Sequence, residues 1–160
     1  TVPTIADVFS ALPEARMNIE MKTVQPSLAT TLCALIQEHK VTERVLVASF
    51  NHLALQQFRA MCPGVATSAS EDEVRAFFTL NLAFLGPTYS PEFHALQVPE
   101  QRNGMRVLTP GFVRAAHGCG LEVHAWTINE ESDMQRMREL GVDGIITDYP
   151  DRLRSTLGRK

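Results

Sequence analysis

Asn18, Glu20 and Lys22 alternate with Ile19 and Met21 along the sequence. In a β-strand successive side chains point to opposite faces, so the three polar residues share one face and the two apolar residues the other. A carboxylate and an ammonium buried together at the C-terminal end of a strand suit a phosphate or metal site. The carboxylate binds a hard cation through oxygen, and the ammonium neutralises phosphate charge. The same spacing equally fits an edge strand with a solvated Glu–Lys face. The residues by themselves leave both readings open.

Further candidates stand at the ends of other apolar runs. Ser49-Phe50 closes the run RVLVASF (44–50), where Phe50 either walls a pocket or packs in the core. Trp126, the single tryptophan, lies near the end of VHAWTIN (123–129) and offers a flat apolar ring to a small organic group. His124 shares its face and reads as a hydrogen-bonded core residue. Asn129 reads as a helix cap, and so does Asp148, at the end of GIITDYP (144–150). His39, His52, His94 and His117 have no partners at metal-ligand spacing. No phosphate-cradling glycine loop and no GxSxG nucleophile turn is present.

The elements that must position these residues follow a simple order. Thr4 caps a first helix that Pro13 ends. A strand is expected over 17–22, a helix from Ser27 with Leu28, Leu32, Leu35 and Ile36 on one face, and a strand over 44–50 covered on both sides. Asn51 caps the next helix. A strand over 65–70 and a helix over 71–80 follow. Short strands are expected at 83–85 and 95–98, with a polar loop at 101–106 between the second of them and the next helix. Thr109-Pro110 starts that helix, then come a strand over 122–128, a helix stopped by Gly141, a strand over 144–148 and a last helix. Strands alternating with helices predict a parallel α/β sheet with right-handed crossovers. About six strands are countable, against eight in a closed barrel of ~250 residues, so the expected fold is a TIM-barrel-type arrangement incomplete at its N-terminus.

The 160 residues are 44% hydrophobic and 21% charged, with a net charge of −3, which fits one globular domain and argues against a nucleic-acid partner. No apolar run is long enough to span a membrane. Cys33, Cys62 and Cys119 are far apart and lack metal-ligand spacing, so they are expected as free thiols in a reducing, cytoplasmic setting. Thr1 is not a natural start residue, so the chain is expected to be part of a longer one.

Taken in order, NIEMK (18–22), RVLVASF (44–50), VHAWTIN (123–129) and GVDGIITDYPD (141–151) resemble the glycerophosphodiester phosphodiesterases. ALQVPE (95–100) and the segment over 106–129 are similar to bacterial members. The resemblance implies a (β/α) barrel and hydrolysis of small-molecule glycerophosphodiesters to glycerol 3-phosphate and an alcohol, with a divalent cation, Mg2+ or Ca2+. By matching position it implies Glu20 as a metal ligand, Lys22 as the lysine beside the phosphate, and Phe50 and Trp126 as apolar walls of the substrate site. The family's HRG, ExD and HD motifs, which supply its acid–base histidines, an arginine and the other metal ligands, have no counterpart in these residues. The chain alone is therefore expected to be a poor catalyst.

Two other readings remain. One is a non-catalytic scaffold that associates with itself through open sheet edges. The other is an open doubly wound domain that binds a phosphorylated metabolite, although a glycine-rich first turn is missing.

Overall fold

A computed structural model describes residues 2–82 and 90–158. The strand expected at 83–85 lies outside them. Contacts gather into two compact units, Thr1–Glu73 and Val74–Lys160.

The first unit opens with α1 (Ile5–Ala11), where Thr4 and Asp7 form a reciprocal capping box. β1 (Met17–Glu20), β2 (Val45–Ala48) and β3 (Ala66–Thr67) form a parallel sheet in that order, joined through α2 (Pro26–Glu38) and α3 (His52–Met61). The register pairs Met17 with Val45 and Glu20 with Ala48. β1 ends at Glu20, so Lys22 lies beyond the strand expected to contain it. Met17, Ile19 and Met21 join Val45 and Val47 in one apolar core with α2 and α3. Its centre holds Ile36, Leu55 and Phe58, all fully buried. Burying a side chain of this size stabilises the fold by about 1.5–3 kcal/mol.

The buried stripe of α2 is Ala29, Leu32, Cys33 and Ile36, while Leu28 is exposed. Leu32 and Ile36 thus hold the expected face, with Ala29 and Cys33 in place of Leu28 at its border. Cys33 and Cys62 form a disulfide, with Cα atoms 5.6 Å apart, which ties α2 to the residue after α3. The free-thiol expectation is corrected for this pair, and among the described residues Cys119 is the cysteine outside a disulfide.

The second unit holds β4 (Ala95–Pro99), β7 (Glu122–Trp126) and β8 (Gly144–Ile145), parallel and in that order. α5 (Pro110–Gly118) and α6 (Glu131–Leu140) supply Phe112, Val113, Ala116, Met134 and Met137 to its core. α4 (Glu71–Leu82) begins in the first unit and brings Phe77 edge-on to Phe112, with ring centroids 5.4 Å apart. α7 (Pro150–Thr156) closes the chain. The polar loop expected at 101–106 is instead a hairpin of β5 (Gln101–Arg102) and β6 (Met105–Arg106). Asn103 and Gly104 take φ of 51° and 76°, the left-handed pair that a tight two-residue hairpin turn requires. At the foot of β8, Asp143 accepts the Val123 N–H at 2.8 Å and a bond from His117 Nε2 at 2.9 Å. Burial opposes its charge, but these two partners hold the Asp143 carboxyl below its usual range.

Among the described residues six strands lie in parallel ladders, three in each unit, and no helix is long and apolar enough to cross a membrane.

Candidate active site

Parallel βα units place functional side chains at the C-terminal ends of their strands. In the first unit those ends carry Glu20, Lys22, Ser49 and Phe50. Lys22 Nζ lies 2.5 Å from Glu20 Oε2. The pair is formed but not buried: the Lys22 side chain is 74% exposed and that of Glu20 31%. The expected burial is corrected for a simple reason. The face of β1 that carries Ile19 packs on the helices, so the face that carries Asn18 and Glu20 lies opposite, on a strand at the edge of its sheet.

Phe50 follows β2 and is 52% exposed, so it is not a core residue. Ser49, by contrast, is buried. Its hydroxyl donates to the Met21 carbonyl at 2.8 Å and accepts the Asn51 N–H at 3.2 Å. Because Met21 separates Glu20 from Lys22, this one side chain ties the acidic–basic pair to the backbone beside Phe50. Asn51 caps α3 as expected, accepting the Ala54 N–H.

Sequence reasoning missed a polar cluster just past β3. Arg59 and Glu73 pair through Nη1 and Oε1 at 2.6 Å, each side chain 13% exposed. Arg59 also donates to Thr67 Oγ1 and to the Ser68 carbonyl. Glu73 accepts the Ser70 N–H at 2.7 Å, completing a capping box at the start of α4. Burial alone would raise the Glu73 carboxyl, but the hydrogen bonds from Arg59 and Ser70 outweigh it and hold the carboxyl low. His52 Nδ1 lies 3.1 Å from Ser70 Oγ. The signal available in the sequence was the S-x-x-E spacing of Ser70 and Glu73.

In the second unit Trp126 ends β7, opposite Pro99 of β4, and is half-buried. On the same face, His124 reaches Gln97 at 3.2 Å and Glu122 at 3.0 Å. His124 is thus hydrogen-bonded within the sheet, as expected. Asn129 and Asp148 differ from expectation, because neither caps a helix. Asn129 accepts from Thr147 Oγ1 and the Asp148 N–H, and donates to Asp148 Oδ2 at 2.9 Å, so together they fasten the segment after β7 to the segment after β8.

The structure therefore gathers Glu20, Lys22 and Phe50 at neighbouring strand ends of the first unit, and Trp126 at a strand end of the second. A hard divalent cation takes six or more oxygens. Among the described residues no three His, Cys, Asp or Glu side chains gather around a common point, and Glu20 offers a single carboxylate that Lys22 already occupies. These residues do not form a complete cation site by themselves.

The model of the glycerophosphoryl diester phosphodiesterase family matches residues 1–152. A Mycobacterium tuberculosis relative named "Probable glycerophosphodiester phosphodiesterase 2" is 33% identical over 161 residues, covering 98% of this chain and 60% of that protein. A glycerophosphodiester phosphodiesterase of Caldanaerobacter subterraneus is 29% identical, covering 95% of this chain and 60% of that one. The chain thus spans about 60% of the length of these relatives. Among solved structures, a glycerophosphodiester phosphodiesterase from Agrobacterium tumefaciens superposes with a TM-score of 0.74 at 17% identity, over 98% of this chain and 62% of that one. An Oleispira antarctica phosphodiesterase, solved with the product sn-glycerol-3-phosphate, superposes at 0.68 with 21% identity, over 99% and 62%. These neighbours share its fold, a parallel (β/α) arrangement of the barrel type that is incomplete here. With a family model over nearly its whole length and a relative one-third identical, the chain belongs to the glycerophosphoryl diester phosphodiesterase family.

Proposed function

We propose that the protein hydrolyses glycerophosphodiesters to glycerol 3-phosphate and an alcohol, and that this chain contributes part of the site. Water adds to phosphorus, the P–O bond to the alcohol breaks, and the alcohol leaves with a proton. Lys22 offsets charge on the phosphoryl oxygens. Phe50 offers apolar surface to the carbon skeleton of the substrate. Glu20 would supply one oxygen ligand to a divalent cation, Mg2+ or Ca2+, which would need further ligands from elsewhere.

The observation that carries this reading is the Glu20–Lys22 contact at the C-terminal end of a parallel strand. The relatives' names and the Oleispira antarctica product complex agree with it. The deciding experiment measures glycerol 3-phosphate release from glycerophosphodiesters with Mg2+ or Ca2+, comparing residues 1–160 with the longer natural polypeptide that contains them. Activity is expected in the longer form and little or none in the shorter. Equal activity of the two would refute the division of the site; inactivity of both would refute the hydrolase reading.

A second reading is a non-catalytic scaffold, favoured by the 74% exposure of the Lys22 side chain. The same assay decides between them.

A further inference from the structure

The side chains that are both polar and buried among the described residues are Ser49, Thr67, Ser68 and Ser70. All four lie at or just past the C-terminal ends of β2 and β3. Burying a hydroxyl is costly unless it is hydrogen-bonded, so their concentration at one edge of one sheet marks a built polar layer rather than a random scatter.

His52 is where this layer reaches solvent. Its side chain is 36% exposed, and its Nδ1 is turned inward, 3.1 Å from Ser70 Oγ and 3.8 Å from Glu73 Oε1. Behind it Glu73 is fixed by Arg59. The Ser70 hydroxyl also accepts the Glu73 N–H at 3.3 Å, so one side chain joins the imidazole to the start of α4. Nδ1 is thereby engaged with the protein, and Nε2 is the ring nitrogen left to meet a ligand. Among the described residues Nε2 makes no hydrogen bond. His52 follows Phe50 by two positions, and the Phe50 carbonyl accepts the Glu71 N–H at 3.1 Å. The end of β2 and the start of α4 are thereby held together, with the imidazole bonded to Ser70 at the start of α4.

We infer that His52 is a substrate-binding residue that hydrogen-bonds through Nε2 to a hydroxyl of the glycerol moiety whose carbon face Phe50 covers. The inference rests on the phosphodiesterase reading and adds a residue to it. Phe50 alone gives shape and apolar contact, which discriminate weakly between a glyceryl group and a plain alkyl group. A fixed hydrogen-bonding nitrogen discriminates strongly, because it is left unpaired by a ligand that lacks the hydroxyl.

The test uses the longer natural polypeptide that contains residues 1–160 and two synthetic diesters, glyceryl p-nitrophenyl phosphate and propyl p-nitrophenyl phosphate. They share a leaving group and differ only in two hydroxyls. His52→Ala is expected to lower kcat/KM for the glyceryl ester about tenfold and to leave the propyl ester within about twofold of the unsubstituted protein. His52→Gln, which keeps an N–H donor, should recover part of the glyceryl rate. An equal fall on both esters would show a purely structural role, and no fall on either would show no role; both overturn the inference and leave the phosphodiesterase reading standing. If the unsubstituted protein cleaves neither ester nor any natural glycerophosphodiester, the reading falls and the inference with it.

Discussion

Glu73 accepts two hydrogen bonds from Arg59, at 2.6 Å from Nη1 and 3.2 Å from Nη2. Removing one partner leaves the other charge poorly solvated, so Arg59→Ala should destabilise the fold by about 3 kcal/mol in urea titrations. The pH dependence has a definite sign. A carboxyl held below its ordinary value of 4.5 contributes stability above that pH and loses it as pH falls through its lowered value. Glu73→Gln should therefore flatten the loss of stability below about pH 4.5. A variant that kept the full acid slope would contradict the assignment.

The Cys33–Cys62 bond encloses a sequence separation of 29. A cross-link of that span restricts the unfolded chain by about 3–4 kcal/mol. Reduction, or the double substitution Cys33→Ser and Cys62→Ser, should lower the unfolding free energy by about 2–4 kcal/mol. Alkylation of the unreduced, denatured chain followed by mass measurement should label Cys119 alone. Labelling of all three cysteines would exclude the bond.

A Cβ built on Gly144 would stand 2.7 Å from His124 Cδ2, closer than real side chains approach. Gly144→Ala should cost about 1–3 kcal/mol, because the imidazole must leave Gln97 or Glu122 to make room. If the clash is the cause, combining it with His124→Ala relieves most of the added penalty, a coupling that a double-mutant cycle reads directly.

In an active polypeptide that contains these residues, Glu20→Ala should reduce glycerol 3-phosphate release by at least about a hundredfold, as expected for loss of a group that acts on the reacting phosphate. Lys22→Ala should act mainly on kcat. Unchanged activity in both variants would remove this strand end from the chemistry.

The periodic patterns were legible because each reports a local constraint. The run at 44–50 and its register partners form a parallel strand because both of its faces meet side chains. The Thr4, Asn51 and Thr109 caps appeared where a short polar side chain precedes an apolar stripe. What escaped depends on residues distant in sequence. Asn129 sits where a cap would, yet its amide is drawn to Asp148, nineteen positions on. The Cys33–Cys62 bond joins α2 to the residue just past α3, and spacing alone could not pair the cysteines. The Asn103-Gly104 turn was a local signal, overlooked because its strands are two residues each. At the candidate site, the alternation of Glu20 with Met21 was readable. The openness of its polar face was not, since that depends on what lies opposite the sheet.

The covalent link between α2 and the end of α3 has one further effect. The backbone between Cys33 and Cys62 contains β2, Phe50 and His52, so the aromatic and imidazole groups belong to a closed ring of chain. A proteolytic cut anywhere within that ring would leave two pieces still joined through sulfur. The severed ends on either side of Phe50 would remain tethered, and reassembly of this corner would be an intramolecular event independent of protein concentration.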